Sequence, residues 1–366
     1  MIDFRYHLVS IVAVFLALAI GIVLGATQLQ RQTVDVLQST SNNLSSKLSA
    51  AQAQRDTYQT QSNAAEQFLQ TAQSALLADR LRGQRVVLIT ESGAQASVIS
   101  GVEQAAVDAD ATVTGQIALQ PRFNDVSGAT QSSLATIDGT IAGSDNTVLA
   151  PPADAQTAYQ QEAAQLIATA VLTKSTTPGS SSGSGQNGSH TGTQDGISAA
   201  SAQTMLTAFA DQGYLTVSGN VAGAAADRAT VAVIVTPQTP PAGGENDPVN
   251  QVLLAITPEF AAASSATVAA GSTTTGSASP ASSISVLRGS SVSAQVSTID
   301  NADTTLGQIS VVEALAAQLA GRKPNSYGIS GASAVSPDPL PSAIPSATAS
   351  ASRATDTKKT GEKKKQ

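Results

Sequence analysis

Side chains that could hold a metal or act as a nucleophile are scarce in this 366-residue sequence. It has no cysteine, which removes thiolate ligands, disulfides and a cysteine nucleophile together. Its two histidines are far apart: His7 stands in an apolar segment and His190 in a Ser/Gly/Thr-rich one. One imidazole alone does not make a metal site, and a Ser-His-Asp triad in the folded part has no base. The two methionines are the initiator and Met205.

Carboxylates are the remaining candidates. Asp300 and Asp303 precede a helical stretch at a three-residue spacing that suits capping of unpaired N–H groups. A hard-cation site needs more oxygen ligands than surround them. Glu91 follows the first strand, where α/β folds place ligand sites, and its loop position predicts solvation. Two glycine motifs also occur, G-x-G-x-x-G at Gly183–Gly188 and G-x-S-x-G at Gly179–Gly183. Both need a strand before and a helix after them, and both lie in low-complexity sequence. No catalytic constellation emerges. The expectation is a protein that is not an enzyme, has no evident cofactor and has no identifiable metal ligands.

Composition narrows the class further. Aromatic residues make up 3% and charged residues 12%, about half the usual charged share. The core must therefore come from Val, Ile, Leu and Ala. Net charge is −7, and the one basic run, Lys363–Lys365 with Lys358 and Lys359, closes the chain as a solvated tail. No folded stretch carries the clustered Lys and Arg that nucleic-acid binding requires.

The elements that would position these residues begin with a membrane-length segment. Leu8 to Ala26 is almost wholly apolar, enough to cover the ~30 Å hydrocarbon layer at 1.5 Å per residue. A cleaved signal would have a shorter apolar region, so an uncleaved anchor is the expectation; cleavage stays open. The short N-terminus is expected to stay cytoplasmic, which places the bulk of the chain outside the inner (plasma) membrane. Gly21 and Gly25 have the small-xxx-small spacing that lets two membrane helices pack closely.

Residues 28–80 contain no Pro or Gly and read as one long helix. In a seven-residue frame its a and d positions include Val34, Leu37, Leu44, Leu48, Tyr58, Leu69 and Leu76, with Ser41, Arg55 and Ser62 as polar members. Such a seam predicts a left-handed coiled coil about 80 Å long, in a parallel homodimer; folding back on the globular part is the alternative.

Beyond Gly83 the pattern changes. Arg85–Thr90 and Arg228–Val235 read as strands covered on both faces, and Thr112–Leu119, Asn146–Ala150, Tyr214–Val217, Thr267–Ala270 and Ser283–Leu287 as further strands. Helices are expected at Gln95–Asp108, Asp154–Leu172, Ala199–Gln212, Asn246–Ala263 (interrupted at Pro258) and Thr304–Ala320. The alternation predicts an α/β fold with a largely parallel sheet. The expected domains are an anchor at 1–27, a coiled coil at 28–82, an α/β domain at 83–328 with a disordered insertion at 175–196, and a disordered tail at 329–366.

Three stretches carry a resemblance: "MIDFRYHLVSIVAVFLALAIGIVLG" at the start, "RVVLIT" after the long helix and "VSTIDNADTTLGQISVVEALAAQLAG" near the end. They resemble the actinobacterial MctB (copper transport protein B) family from Met1 to about Gly328. The resemblance implies a role in copper transport or homeostasis. It also implies a link to cell separation, in which coiled-coil relatives partner a division-associated protein that controls a cell-wall hydrolase. Copper(I) itself prefers thiolate, thioether or imidazole ligands, which this sequence barely supplies.

Overall fold

The computed structural model describes residues 4–145, 149, 154–174, 197–272 and 281–338, without the side chains of 4, 5, 27–36, 144 and 145. The chain divides into two compact units between Gln67 and Phe68. One helix, α1 (Phe4–Leu77), begins in the first unit and ends in the second. In the first unit its stretch Tyr6–Ala26 is long and apolar enough to cross a membrane. Its large side chains there, including Leu8, Phe15, Ile20 and Leu24, are exposed.

The second unit is built on a seven-stranded sheet. In chain order the strands are β1 (Arg85–Thr90), β2 (Thr112–Leu119), β3 (Leu215–Gly219), β4 (Val231–Val235), β5 (Ala266–Ala270), β6 (Ser297–Ile299) and β7 (Ser326–Tyr327). Their spatial order is β3-β2-β1-β4-β5-β6-β7, and only β3 runs antiparallel. The helices are α2 (Ala96–Asp108), α3 (Gly128–Asp145), α4 (Ala158–Val171), α5 (Ala199–Asp211), α6 (Pro248–Ala263), α7 (Ser283–Gly289) and α8 (Thr305–Leu319). The expectation of an α/β fold with a mostly parallel sheet is met.

Alternation along the central strands sends side chains into two cores. Val87 and Ile89 join Leu166, Ile167, Phe209, Leu253 and Phe260 on the face covered by α3 to α7. Val86 and Leu88 join Leu77, Val98, Val102, Val312 and Leu315 on the face covered by the end of α1, α2 and α8. Helices on both faces explain why β1 and β4 read as unbroken apolar runs.

Several expectations are corrected. Ser283–Leu287 is helix α7, not a strand: Ser282 Oγ accepts from the Ser285 N–H at its start, and Ile284 and Leu287 share its buried face at helical spacing. The strand beside β5 is instead the short β6. Helix α6 runs through Pro258 without interruption, held by its buried face of Val252, Leu253, Ile256 and Phe260. Asp300 does not cap α8 but pairs with Arg288; the N-cap is Thr304, whose hydroxyl accepts from the Gly307 N–H at 3.1 Å. Leu77 and Leu81 already belong to the second unit's core, so its fold starts before residue 83. It also continues past 328, where Gly328 N–H donates to Ala334 O and Ser333 N–H to Ser326 O. Residues 175–196, nearly all of 146–150 and the tail from 339 lie outside the described residues.

Two arginines, Arg228 buried and Arg288 largely enclosed, tie the fold together. Arg228, 1% exposed, donates to the main-chain carbonyls of Gly223, Thr169, Ile197 and Ser198. Arg288 donates to Asp300 Oδ2 at 2.8 Å, to Tyr327 O and Ser330 O at 2.6 Å each, and to Thr298 Oγ1. Asp300 in turn accepts from the N–H groups of Ile329 and Ser330. Gly328 (φ +129°) passes so close that a Cβ there would overlap the Asp300 carboxylate.

Removing one partner of a buried ion pair leaves the other charged and unpaired, at a cost of about 3–5 kcal/mol. Arg288→Met is expected to destabilise the second unit by that amount in urea unfolding of the full chain. An effect below 1 kcal/mol would mean that the clamp is solvated in solution.

Candidate functional site

The chain crosses from one half of the sheet to the other between β1 and β4. From β1 it runs outward to β2 and β3, then returns to β4 on the opposite side and proceeds to β7. In open α/β sheets this reversal leaves a crevice outside the carboxyl ends of the two strands. Here those ends are Thr90-Glu91 and Val235-Thr236.

Glu91 is not solvated, contrary to the loop expectation. Its residue is 2% exposed, and its main-chain N–H donates to Val235 O at 2.9 Å, stitching the two strand ends together. Gln238 N–H donates to Gly93 O above it and extends the closure. The Glu91 carboxylate Oε2 accepts from Asn124 Nδ2 at 3.2 Å, from the turn Pro121–Asn124 that follows β2. Alongside, Gln116 Nε2 donates to Thr90 Oγ1 at 2.9 Å. Burial pushes the Glu91 carboxyl up to about 7; the Asn124 carboxamide and the Ser92 N–H offset only part of that rise.

Buried polar atoms without a hydrogen-bond partner gather along this same edge. Among the described residues they include Glu91 Oε1, Gln95 Oε1, Asn124 Oδ1, Tyr214 Oη, Asn250 Oδ1, Ser283 Oγ and Asn301 Oδ1. Each belongs to a segment at the carboxyl end of a parallel strand or, for Tyr214, just before antiparallel β3. Most are acceptors, so this edge suits a proton or a donor-rich group.

A second buried carboxyl sits in the helical layer. Asp138 on α3 is 1% exposed, and neither oxygen has a hydrogen-bond partner. Burial first, and then the Glu162 carboxylate, push it up to about 8. Burial also raises Glu162, and raises Glu259, which accepts from Gln161 Nε2 at 2.6 Å.

The residues expected to pack helices fall in several places. Gly21 and Gly25 sit on the membrane-length part of α1, and a Cβ built on either meets nothing within 4 Å. Leu37, Leu44 and Leu48 are exposed along α1, as is Leu76 near its end. Leu69 is partly buried against the second unit's own core, so at that position α1 packs within the chain. The Val34 side chain lies outside the described residues. Sequence reading missed Asn124 and Asp138, for which no local signal exists.

Protonation favours the fold at Asp138. Its stabilising contribution is complete below about pH 4 and is lost as pH rises through about 8. Asp138→Asn is therefore expected to raise the thermal midpoint at pH 8.5 and to flatten its decline from pH 5. An unchanged profile would place the carboxyl in solvent.

Comparison with known proteins gives a consistent assignment. A family profile described as "Copper transport outer membrane protein, MctB" matches residues 1–337. Proteins named copper transporter MctB from Mycobacterium bovis and from Mycobacterium tuberculosis H37Rv are each 26% identical over 329 residues, covering 90% of this chain and 96% of theirs. The Mycobacterium leprae protein of that name is 26% identical over 337 residues with the same coverage. Matched from its apolar first helix to the last described turn, this chain belongs to the MctB family.

Proposed function

We propose that this chain is a single-pass, membrane-anchored envelope protein without enzymatic activity that serves copper transport or homeostasis. Its carrying observation is α1, which joins a membrane-length apolar segment to the α/β unit in one unbroken helix. The family name supplies copper. Orientation follows the sequence expectation, with the N-terminus in the cytoplasm and the α/β unit outside the inner membrane.

Copper enters this reading as cargo, not as a bound cofactor. Copper(I) is held by soft donors, and those do not converge here. Met205 is 1% exposed inside the first core cluster, His7 lies in the apolar part of α1, and no group of three His, Cys, Asp or Glu occurs among the described residues. Handling copper would thus fall to an assembly containing this chain. Complementation tests this: the chain should restore copper tolerance and normal copper content to a deletion strain. The purified full chain should bind copper(I) more weakly than about micromolar. Sub-micromolar binding would overturn the reading.

One observation favours a second reading, a coiled-coil scaffold that partners a division protein to regulate cell separation and cell-wall hydrolysis. Leu37, Leu44, Leu48 and Tyr58, all seam positions, are about 60% exposed. Apolar side chains at that spacing seek a partner helix, and a second copy of this chain supplies an identical seam. Because the chain has no cysteine, single replacements report cleanly. Leu44→Cys is expected to form a disulfide-linked dimer in membranes, whereas Ser46→Cys, on the opposite face, is not. Equal crosslinking of both, or of neither, would rule out a parallel homodimer.

A further inference from the structure

The Glu91–Asn124 contact is half of a familiar pairing. A carboxamide and a neutral carboxyl can bond to each other twice, each donating once and accepting once in a closed ring. Here Asn124 Nδ2 already donates to Glu91 Oε2 at 3.2 Å. The two atoms left over, Glu91 Oε1 and Asn124 Oδ1, are both buried and both without a partner. Two acceptors cannot satisfy each other, but one hydrogen between them satisfies both. Leaving them bare would strand a buried anion beside a buried carbonyl, each carrying a desolvation cost.

We propose that this corner of the sheet is a proton-binding site, in which one proton on Glu91 Oε1 is donated to Asn124 Oδ1 and closes a cyclic carboxyl–carboxamide pair. The ring fastens the loop after β1 to the turn after β2, two segments 33 residues apart. Ionisation removes the second hydrogen bond and sets a buried negative charge against the Asn124 carbonyl, so the two segments loosen together. This goes beyond the membrane and copper reading and does not depend on it.

The neighbours leave the proton as the group's own means of neutralisation. Strands β1, β2 and β4 carry no titratable side chain other than Arg85, at the far end of β1. On the Pro121–Asn124 turn, Arg122 donates to Gln212 O at 2.6 Å and lies over the Tyr214 ring. Asp125 is held by Thr130 and Ser127. Beyond β4, Glu245 is exposed and Asp247 caps α6; within α6 the only acid, Glu259, accepts from Gln161. On α2 the acids are Glu103 and Asp108, and Asp108 accepts from Gln73 and Gln104. No charge enters among the causes that raise Glu91.

The test uses the full chain in lipid nanodiscs and compares it with Glu91→Gln, whose carboxamide reproduces the closed ring without a titrating proton. In the wild type minus variant infrared difference spectrum, a carboxylic-acid C=O band should be lost with a midpoint near 7; the buried Asp138, whose midpoint lies near 8, is common to both chains and cancels. Amide exchange at 91–95 and 122–125, corrected for intrinsic rates, should rise at least tenfold across that midpoint in the wild type only. Three results would overturn the proposal: no acid C=O band in that wild type minus variant spectrum at pH 5, failure of Glu91→Gln to fold, or a midpoint lowered by more than one unit by millimolar Mg²⁺ or Ca²⁺. The last outcome would mean that a cation, not a proton, is the ligand.

Discussion

The second unit depends on β1 being buried on both faces and paired on both edges. Val86 to Ile89 are at most 1% exposed, with β2 on one side and β4 on the other. A strand so placed has no polar face, so helices must close both sides of the sheet, and the connections must be crossovers. That constraint also creates the reversal between β1 and β4. The residue that directly follows β1 there is enclosed, and a carboxylate in that place must find a partner or a proton. Glu91 is where the topology and the chemistry meet.

Charges are buried elsewhere under a different rule. Arg288 and Asp300 neutralise each other and use their remaining hydrogen-bonding capacity on the backbone of Thr298, Tyr327, Ile329 and Ser330. Arg228 is held by dipoles instead: four main-chain carbonyls surround its guanidinium. Desolvation lowers its pKa, yet arginine stays charged because its starting value is so high. The same degree of burial therefore leaves arginines as cations and pushes isolated carboxyls towards neutrality.

Much of the architecture was legible because it follows from apolar runs. "RVVLIT" and "VAVIV" could only be strands covered on both faces, and the helices between them follow from spacing and caps. What escaped was short or polar. Strands β6 and β7 have three and two residues, too few for periodicity to register. Helix α3, rich in Gly, Ser and Thr, has almost no apolar stripe. Ser283–Leu287 is equally compatible with either structure until its Ser282 cap is seen. The site was legible only as a place, because the partner that matters to Glu91 is remote in sequence. Asp300 is illegible for the same reason: its partner Arg288 lies near the end of helix α7, one residue beyond the stretch that reads as a strand.

Arg228 has a consequence for how the helical layer is joined. Its guanidinium holds Thr169 on one side of residues 175–196 and Ile197 and Ser198 on the other. Beside it, Ala229 exchanges hydrogen bonds with Val171 and Thr173. The two ends of that stretch are thus pinned at one spot by contacts independent of what lies between them. Arg228 therefore acts as a rivet between the end of helix α4 and the start of helix α5, and it fastens two elements of one helical layer through main-chain oxygens alone.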